Sequence, residues 1–497
     1  MRPLLLAALL ALLPAGAAPA AADTPRAAAV DPAIAAALPE IRRHFAQWQR
    51  DSRVPGLVWG IVTADGLAHV EAAGVQDVET RTPVTANTAF RIASMSKAFT
   101  ARAILGLVAE GRLGLDDPAA THVPQLGPWA PGIRVRDLLH HTAGFVTDDP
   151  WGDRQQSLPE ADFTRLLEAG VPFTRAPGTA HEYSNLGYAI LGRIVTNVSG
   201  QPYQAHIADT VFRPLGMAST TYEVRDVPAA RLARGYRFQE GAWLPEPVMA
   251  DGAFGAMGGV VTTASDYAKW MAWLLAGLPA DPALAPARDV RRAMAEGGGF
   301  LVRRPRPGRD APACEHALLY AGGLRAGDDC LLGRFLTHSG GYPGYGSHMI
   351  LLPEAGVGVF AFANRTYAAP VAPSWNALGA LSRAGLPLAR TTAPSPALDQ
   401  GYAAARAIWA SGRIEAKPES LAINMLMDRP ARLWDAELAR LRRELGPCDT
   451  AAPITPTGAL SGSFTWPCRF GRLQGELLLA PSPAPSLQAL RLSIAAP

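Results

Sequence analysis

The sequence predicts an α+β fold: an antiparallel sheet flanked by helices, with a mainly helical region inserted between two blocks of strands, and a small α+β domain behind it. Three observations carry this expectation. Strand-like apolar runs cluster at 57–73 and again at 335–364. Between them, from Asp137 to Leu275, helical periodicity punctuated by Pro and Gly prevails. A stretch holding Pro387, Pro394 and Pro396 then sets off a last segment with two helical and three strand-like runs.

In order along the chain, Met1-Arg2 followed by Leu4–Leu13, all Leu and Ala, and an alanine-rich stretch ending at Ala22 has the layout of a secretory signal peptide over residues 1–22. That apolar run is too short to cross a bilayer, and no later run reaches the roughly 18 residues a span needs, so the expectation is a periplasmic or secreted protein with no membrane span. Residues 23–386 form the main domain. Ile34–Gln49 reads as a helix, and Leu57–Thr63 and Leu67–Ala73 as strands joined through the hairpin signal Asp65-Gly66. Lys97, Ala101, Ile104 and Val108 recur at helical spacing and Gly111 sits where a left-handed cap falls, so a helix opens near Ser94. Leu186–Val198 and Ala264–Leu275 are the clearest helices of the inserted region, and Leu278–Asp329, rich in Pro, Arg and Gly, reads as an irregular insertion. Sheet character returns in Phe335–Ser339, Ser347–Leu352 and Val357–Asn364, with the turn Pro353-Glu354-Ala355-Gly356 between the last two. Residues 387–398 read as a linker and 399–497 as an accessory α+β domain, with helices at Asp399–Ser411 and Leu433–Leu445 and strands at Ser461–Thr465, Leu473–Leu479 and Gln488–Ile494.

Composition narrows the function. With 497 residues, 48% of them hydrophobic, the chain can bury a large core. A formal charge of +3 gives no reason to expect nucleic acid or an anionic membrane surface as a partner. The cysteines fall as two local pairs, and export plus proximity favour the disulfides Cys314 with Cys330 and Cys448 with Cys468. There is no Cys-x-x-Cys and no His-Glu-x-x-His, hence no metal expectation.

The chemistry begins at Ser94 and Lys97. Residues three apart on a helix stand side by side, which puts a hydroxyl nucleophile next to an amine. Of 46 basic residues only Lys97, Lys269 and Lys417 are lysine. A chain that uses arginine for generic charge has, beside Ser94, the one cation of the two that can lose its proton.

Two more clusters follow: Tyr183-Ser184-Asn185 just before a helical pattern, and His338-Ser339-Gly340-Gly341 at a strand end. In order and spacing the three clusters resemble the penicillin-recognising serine hydrolases: class C β-lactamases, D-alanyl-D-alanine carboxypeptidases, D-aminopeptidases and related esterases, whose pattern is Ser-x-x-Lys, Tyr-x-Asn, then Lys/His/Trp-x-Gly. The resemblance runs from about Ile41 to Leu386, supported by Val54-Pro55-Gly56, the stretch Leu138–Gly144, and Gly258–Asp266. It implies a β-lactamase/transpeptidase-like fold for the main domain. It implies Ser94 as the acylated nucleophile, Lys97 and Tyr183 sharing the proton transfers, Asn185 bonding the substrate amide or Lys97, and an oxyanion hole from the backbone N–H groups of Ser94 and Gly341. His338, Ser339, Gly340 and Gly341 would line the substrate. His140 and His141 belong to a turn that supports the site.

The activity so implied is acyl transfer to water with no metal or organic cofactor, on a small-molecule ester, amide or D-peptide. Where the β-lactamases carry lysine in the third motif this chain has His338, mostly neutral near pH 7. That ranks esterase or D-amino-acid peptidase/amidase activity above β-lactamase activity, with protonation of His338 expected to favour anionic substrates. The non-enzymatic alternative is a penicillin-binding sensor or cell-wall interaction protein that acylates without turnover.

Overall fold

The computed structural model describes residues 31–278, 289–305, 315–329, 331–386 and 394–495. The leader, Cys314, Cys330 and residues 387–393 of the expected linker lie outside them. The chain divides into two compact units, Met1–Ala389 and Arg390–Pro497.

The first unit is built on an antiparallel sheet with eight strands among the described residues. In spatial order these are Gly66–Gly74, Gly56–Thr63, Val357–Ala363, Tyr345–Leu352, Gly333–Tyr342, Arg325–Asp329, Glu315–Tyr320 and Gly298–Pro305. The two sequence-distant strand blocks therefore meet in one sheet, Leu57 opposite Ala363 and Thr63 opposite Val357. Val357–Ala363 is buried along its whole length. Its alternate residues Val357, Val359 and Ala361 pack with Ile41, Phe45, Trp375 and Leu378, from the helices Pro32–Asp51 and Val371–Arg383. Phe360 and Phe362 join Phe99, Ile104, Tyr267 and Trp270 on the helical side. A strand covered on both faces needs apolar residues at every position, which is why it reads as an unbroken apolar run. Each such large side chain contributes about 1.5–3 kcal/mol by leaving water.

Leu278–Asp329 departs from the sequence reading. Its described parts hold a helix, Val290–Ala295, and three strands that extend the main sheet. They lie at one side of the sheet and include polar stretches such as Arg325-Ala326-Gly327-Asp328-Asp329, so they lack the apolar signal that marks the central strands. The first helix of the second unit also begins earlier than expected, at Pro396, with Ser395 Oγ accepting from Leu398 N at 3.1 Å. Proline reads as a breaker in sequence but is well suited to the first helical turn.

In that second unit, Thr455–Gly458, Ser461–Cys468, Gly471–Leu479 and Leu487–Ile494 form a four-stranded antiparallel sheet. Tyr402, Ile408 and Trp409 of Pro396–Ser411 and Leu438 and Leu441 of Ala431–Leu445 pack on Phe464, Trp466, Leu473 and Leu477. Cys448 and Cys468 form a disulfide.

Asn364 locks the first unit's hairpin to its central strand. Its buried side chain accepts from Gly56 N at 2.6 Å and donates to Val75 O at 3.1 Å and Gln76 O at 3.3 Å. Asn364→Ala leaves a buried N–H unpaired, with an expected loss of about 1–3 kcal/mol. Chemical denaturation of the full chain measures it, and a loss within a few tenths of zero would contradict the assigned role.

Candidate active site

The strand Ala89–Arg91, paired with Val261–Thr263, runs through Ile92 into a 3₁₀ turn, Ala93–Ser96, and then the helix Lys97–Ala109. Ser94 thus sits in a tight turn ahead of the helix rather than at the helix's own first residue. Ala93 has φ +50°, a region an L side chain adopts at a cost, and the turn is pinned on both sides. Ser347 Oγ donates to Ile92 O at 2.7 Å, and Ser96 Oγ accepts from Val260 N at 3.0 Å. The three-residue spacing survives the tighter turn, so Ser94 and Lys97 still meet, at 3.2 Å from Nζ to Oγ.

Lys97 is fully buried. Its Nζ also donates to Asn185 Oδ1 at 2.7 Å and to Met257 O at 2.8 Å. Both of those partners can only accept. An ammonium fills all three contacts with N–H groups; a neutral amine keeps two N–H donors for Asn185 and Met257 and turns its lone pair towards the Ser94 hydroxyl. Burial lowers the Lys97 pKa to about 8, against the opposing pull of the carboxylates of Asp149, Asp153 and Asp148. Relative to an ordinary lysine, that raises the fraction of free amine at pH 7 roughly 300-fold.

Asn185 opens the helix Asn185–Ser199, with Ser184 as its cap. Its Nδ2 donates to Asp149, which leaves Oδ1 facing Lys97, while its backbone N–H donates to Asp148 Oδ1 at 2.6 Å. Asp153, buried in the turn Gly152–Gln155, completes this acidic side; burial and the neighbouring charge of Asp149 push its carboxyl up to about 7. The Tyr183 ring lies 4.9 Å from Lys97 Nζ, and its hydroxyl lies near enough to Ser94 to interact with it. Burial raises the Tyr183 pKa well above the ordinary tyrosine value, so the hydroxyl stays protonated. The His141 ring lies 4.2 Å from that of Tyr183, and His141 accepts from Ser184 N at 3.2 Å, which makes it a support for that tyrosine.

The third cluster lies on the strand Gly333–Tyr342. Its next strand, Arg325–Asp329, pairs only as far as Thr337, so 338–342 offer an open backbone edge to the cleft. A Cβ on Gly340 would stand 2.3 Å from Ile92 O, so only glycine lets this strand lie against the Ser94 turn. Ser339 Oγ bonds His348 Nδ1 at 3.1 Å. His338 is buried and engaged at both nitrogens. Nδ1–H donates to Ser339 O at 2.6 Å, and Nε2 accepts from Tyr320 Oη at 2.8 Å. Burial, then the charges of Arg325 and Lys97, hold its pKa well below the ordinary histidine value. The expected protonation of His338 to attract a substrate carboxylate is therefore opposed by its surroundings: it is a neutral, locked ring.

In comparison with known proteins, residues 41–384 match the family model described as Beta-lactamase. The chain belongs to the beta-lactamase family. Among curated relatives, Protein flp of Staphylococcus aureus (strain MW2) is 29% identical over 323 residues, covering 63% of this chain and 60% of its own length. Uncharacterized protein MT1414 of Mycobacterium tuberculosis (strain CDC 1551 / Oshkosh) is 31% identical over 253 residues, covering 44% of this chain and 63% of its own length. The match thus spans less than two thirds of the length of these relatives.

Several side chains of this beta-lactamase-family site fall outside the three sequence clusters. Asp148, Asp149 and Asp153 come from a loop, Tyr320 from a strand two removed from the third cluster's own, and Arg325 from the strand between. Arg325 is partly exposed and its guanidinium has no hydrogen-bond or ion-pair partner among the described residues, yet its charge is felt at Lys97, Tyr183 and His338. No motif marks these positions; loop packing brings in the aspartates, and sheet register brings in Tyr320 and Arg325. Tyr320→Phe removes the hydrogen bond that favours the neutral form of His338. The expected result is a rise of its pKa by up to about one pH unit, read by histidine NMR titration. A pKa unchanged or lowered would contradict the clamp.

Proposed function

We propose that this chain is an exported hydrolase that cleaves small ester or amide substrates through an acyl-enzyme on Ser94, acting as an esterase or D-amino-acid peptidase/amidase, with β-lactam turnover weak or absent. The observation that carries the reading is the three-way contact of Lys97. With Asn185 and Met257 occupying two of its positions, the neutral amine has only Ser94 to accept from. Lys97 takes the Ser94 proton as Oγ attacks the carbonyl carbon. The oxyanion is held by the backbone N–H groups of Ser94 and Gly341. Tyr183, protonated and within hydrogen-bond reach of Ser94, relays the proton to the leaving oxygen or nitrogen as the ester or amide bond breaks. Water, activated by the same pair, then attacks the acyl carbon and frees Ser94, so the products are a carboxylic acid and an alcohol or amine.

Neutral His338 speaks against tight binding of a β-lactam carboxylate at that position, while the Arg325 guanidinium on the neighbouring strand offers a cation to an anionic end of the substrate. The second reading, a penicillin-binding sensor or cell-wall interaction protein with little turnover and its C-terminal unit as the docking surface, predicts a burst of product followed by silence.

A panel of p-nitrophenyl esters, D-amino acid amides and nitrocefin on the full chain tests the assignment. Steady turnover of an ester or D-amide above nitrocefin is expected, and nitrocefin as the fastest substrate would overturn it. Ser94→Ala should abolish acylation, and Lys97→Arg should lower kcat/KM nearly as far, on the order of 10²–10⁴-fold, because arginine keeps the charge but cannot accept a proton. Near-normal turnover in Lys97→Arg would remove Lys97 from the proton path.

A further inference from the structure

Beyond the three clusters, Tyr367 stands beside the site at a position that sequence gives no hint of. Tyr367 follows the central strand Val357–Ala363 and carries φ +55°, an unusual backbone state for a bulky aromatic residue. Its neighbours hold it there. Thr366 Oγ1 contacts Tyr236 O and Glu246 Oε1, both at 3.1 Å, and Tyr367 N donates to Tyr342 O at 3.3 Å and Tyr345 O at 3.2 Å. A strained residue so firmly held, with 44% of its surface still exposed, is a candidate for function rather than packing.

The ring covers Gly341, where a Cβ would stand 2.9 Å from Tyr367 Cδ1. At its far end Tyr367 Oη donates to Asp153 Oδ2 at 3.1 Å. Asp153 follows Gly152, whose own Cβ would stand 2.9 Å from Asn185 Cβ. A continuous path therefore runs from the third-cluster strand through Tyr367 and Asp153 to Asn185, Lys97 and back to Ser94. Tyr367 and Asp153 thus stand beside Gly341 and Asn185, next to the Ser94 site. With Tyr183 assigned to the leaving group under the proposed function, the side bounded by Asn185 and Gly341 is left for the acyl chain.

We propose that Tyr367, tied to Asp153, is the wall of the acyl pocket and makes the enzyme selective for short acyl groups over long ones. This rests on the acyl-enzyme reading of Ser94. In a pocket closed by a fixed ring, each added methylene meets the wall instead of gaining contact. Hydrogen bonding to Asp153 keeps the ring from swinging aside.

The test compares p-nitrophenyl acetate with p-nitrophenyl octanoate, following both p-nitrophenolate release and the mass of acylated protein, so that acylation is read even without turnover. Tyr367→Gly removes the ring and relaxes the left-handed backbone; Tyr367→Phe keeps the ring and loses only the hydroxyl. The expected result is an octanoate-to-acetate acylation ratio raised on the order of tenfold or more in Tyr367→Gly and changed less in Tyr367→Phe. An unchanged ratio in Tyr367→Gly, with acetate still transferred to Ser94, would overturn the wall and leave the hydrolase reading intact. If Tyr367→Gly fails to fold, a native protein that acylates as fast with octanoate as with acetate overturns the wall by itself, and a preference for acetate supports it. Acylation that persists in Ser94→Ala would instead overturn the acyl-enzyme reading.

Discussion

The site depends on one constraint: Lys97 is a titratable amine removed from water and held between acceptors. Burial alone disfavours its charge, and three carboxylates, those of Asp149, Asp153 and Asp148, restore part of it. The balance leaves Lys97 near the pH at which a base is useful, which neither effect achieves alone. Asn185 converts that acidic side into geometry. By giving its Nδ2 to Asp149 it presents Oδ1 to Lys97, and the only open direction of the amine is then the one that contains Ser94.

The surrounding fold keeps these few atoms still. Ser94 lies in a strained turn fixed by Ser347 from the sheet and by Val260 through Ser96. The third-cluster strand can approach that turn only because residue 340 has no side chain. His338 faces Tyr320 and its own neighbour's carbonyl, so at this position the fold supplies a neutral support. Arg325 on the adjacent strand adds a positive charge felt at Lys97, Tyr183 and His338.

Which parts were legible in the sequence follows from the range of the interaction. Ser94 and Lys97 are three residues apart, so a local turn suffices to join them, and the spacing alone announces the pair. The central strands announce themselves because both their faces are buried. Short motifs, through resemblance, bring in Tyr183, Asn185 and the strand His338–Gly341. Asp153 and Tyr367 meet across 214 residues of sequence, and Lys97 meets Met257 O across 160. Such contacts follow from register and loop packing, which leave no periodic trace. The strands of 298–329 were missed for a related reason: towards the side of the sheet, polar and glycine-rich residues are tolerated, and the pattern reads as irregular.

The central claim is that Lys97 loses its proton far more easily than an ordinary lysine. The scarcity of lysine makes this directly measurable, since labelling with ε-¹³C lysine gives signals only from Lys97, Lys269 and Lys417, and Lys97→Arg identifies the first. Titrated by NMR in the native full chain, Lys97 should show a midpoint at about 8, well below the ordinary lysine value. A midpoint for Lys97 at or above the ordinary lysine value would contradict the account.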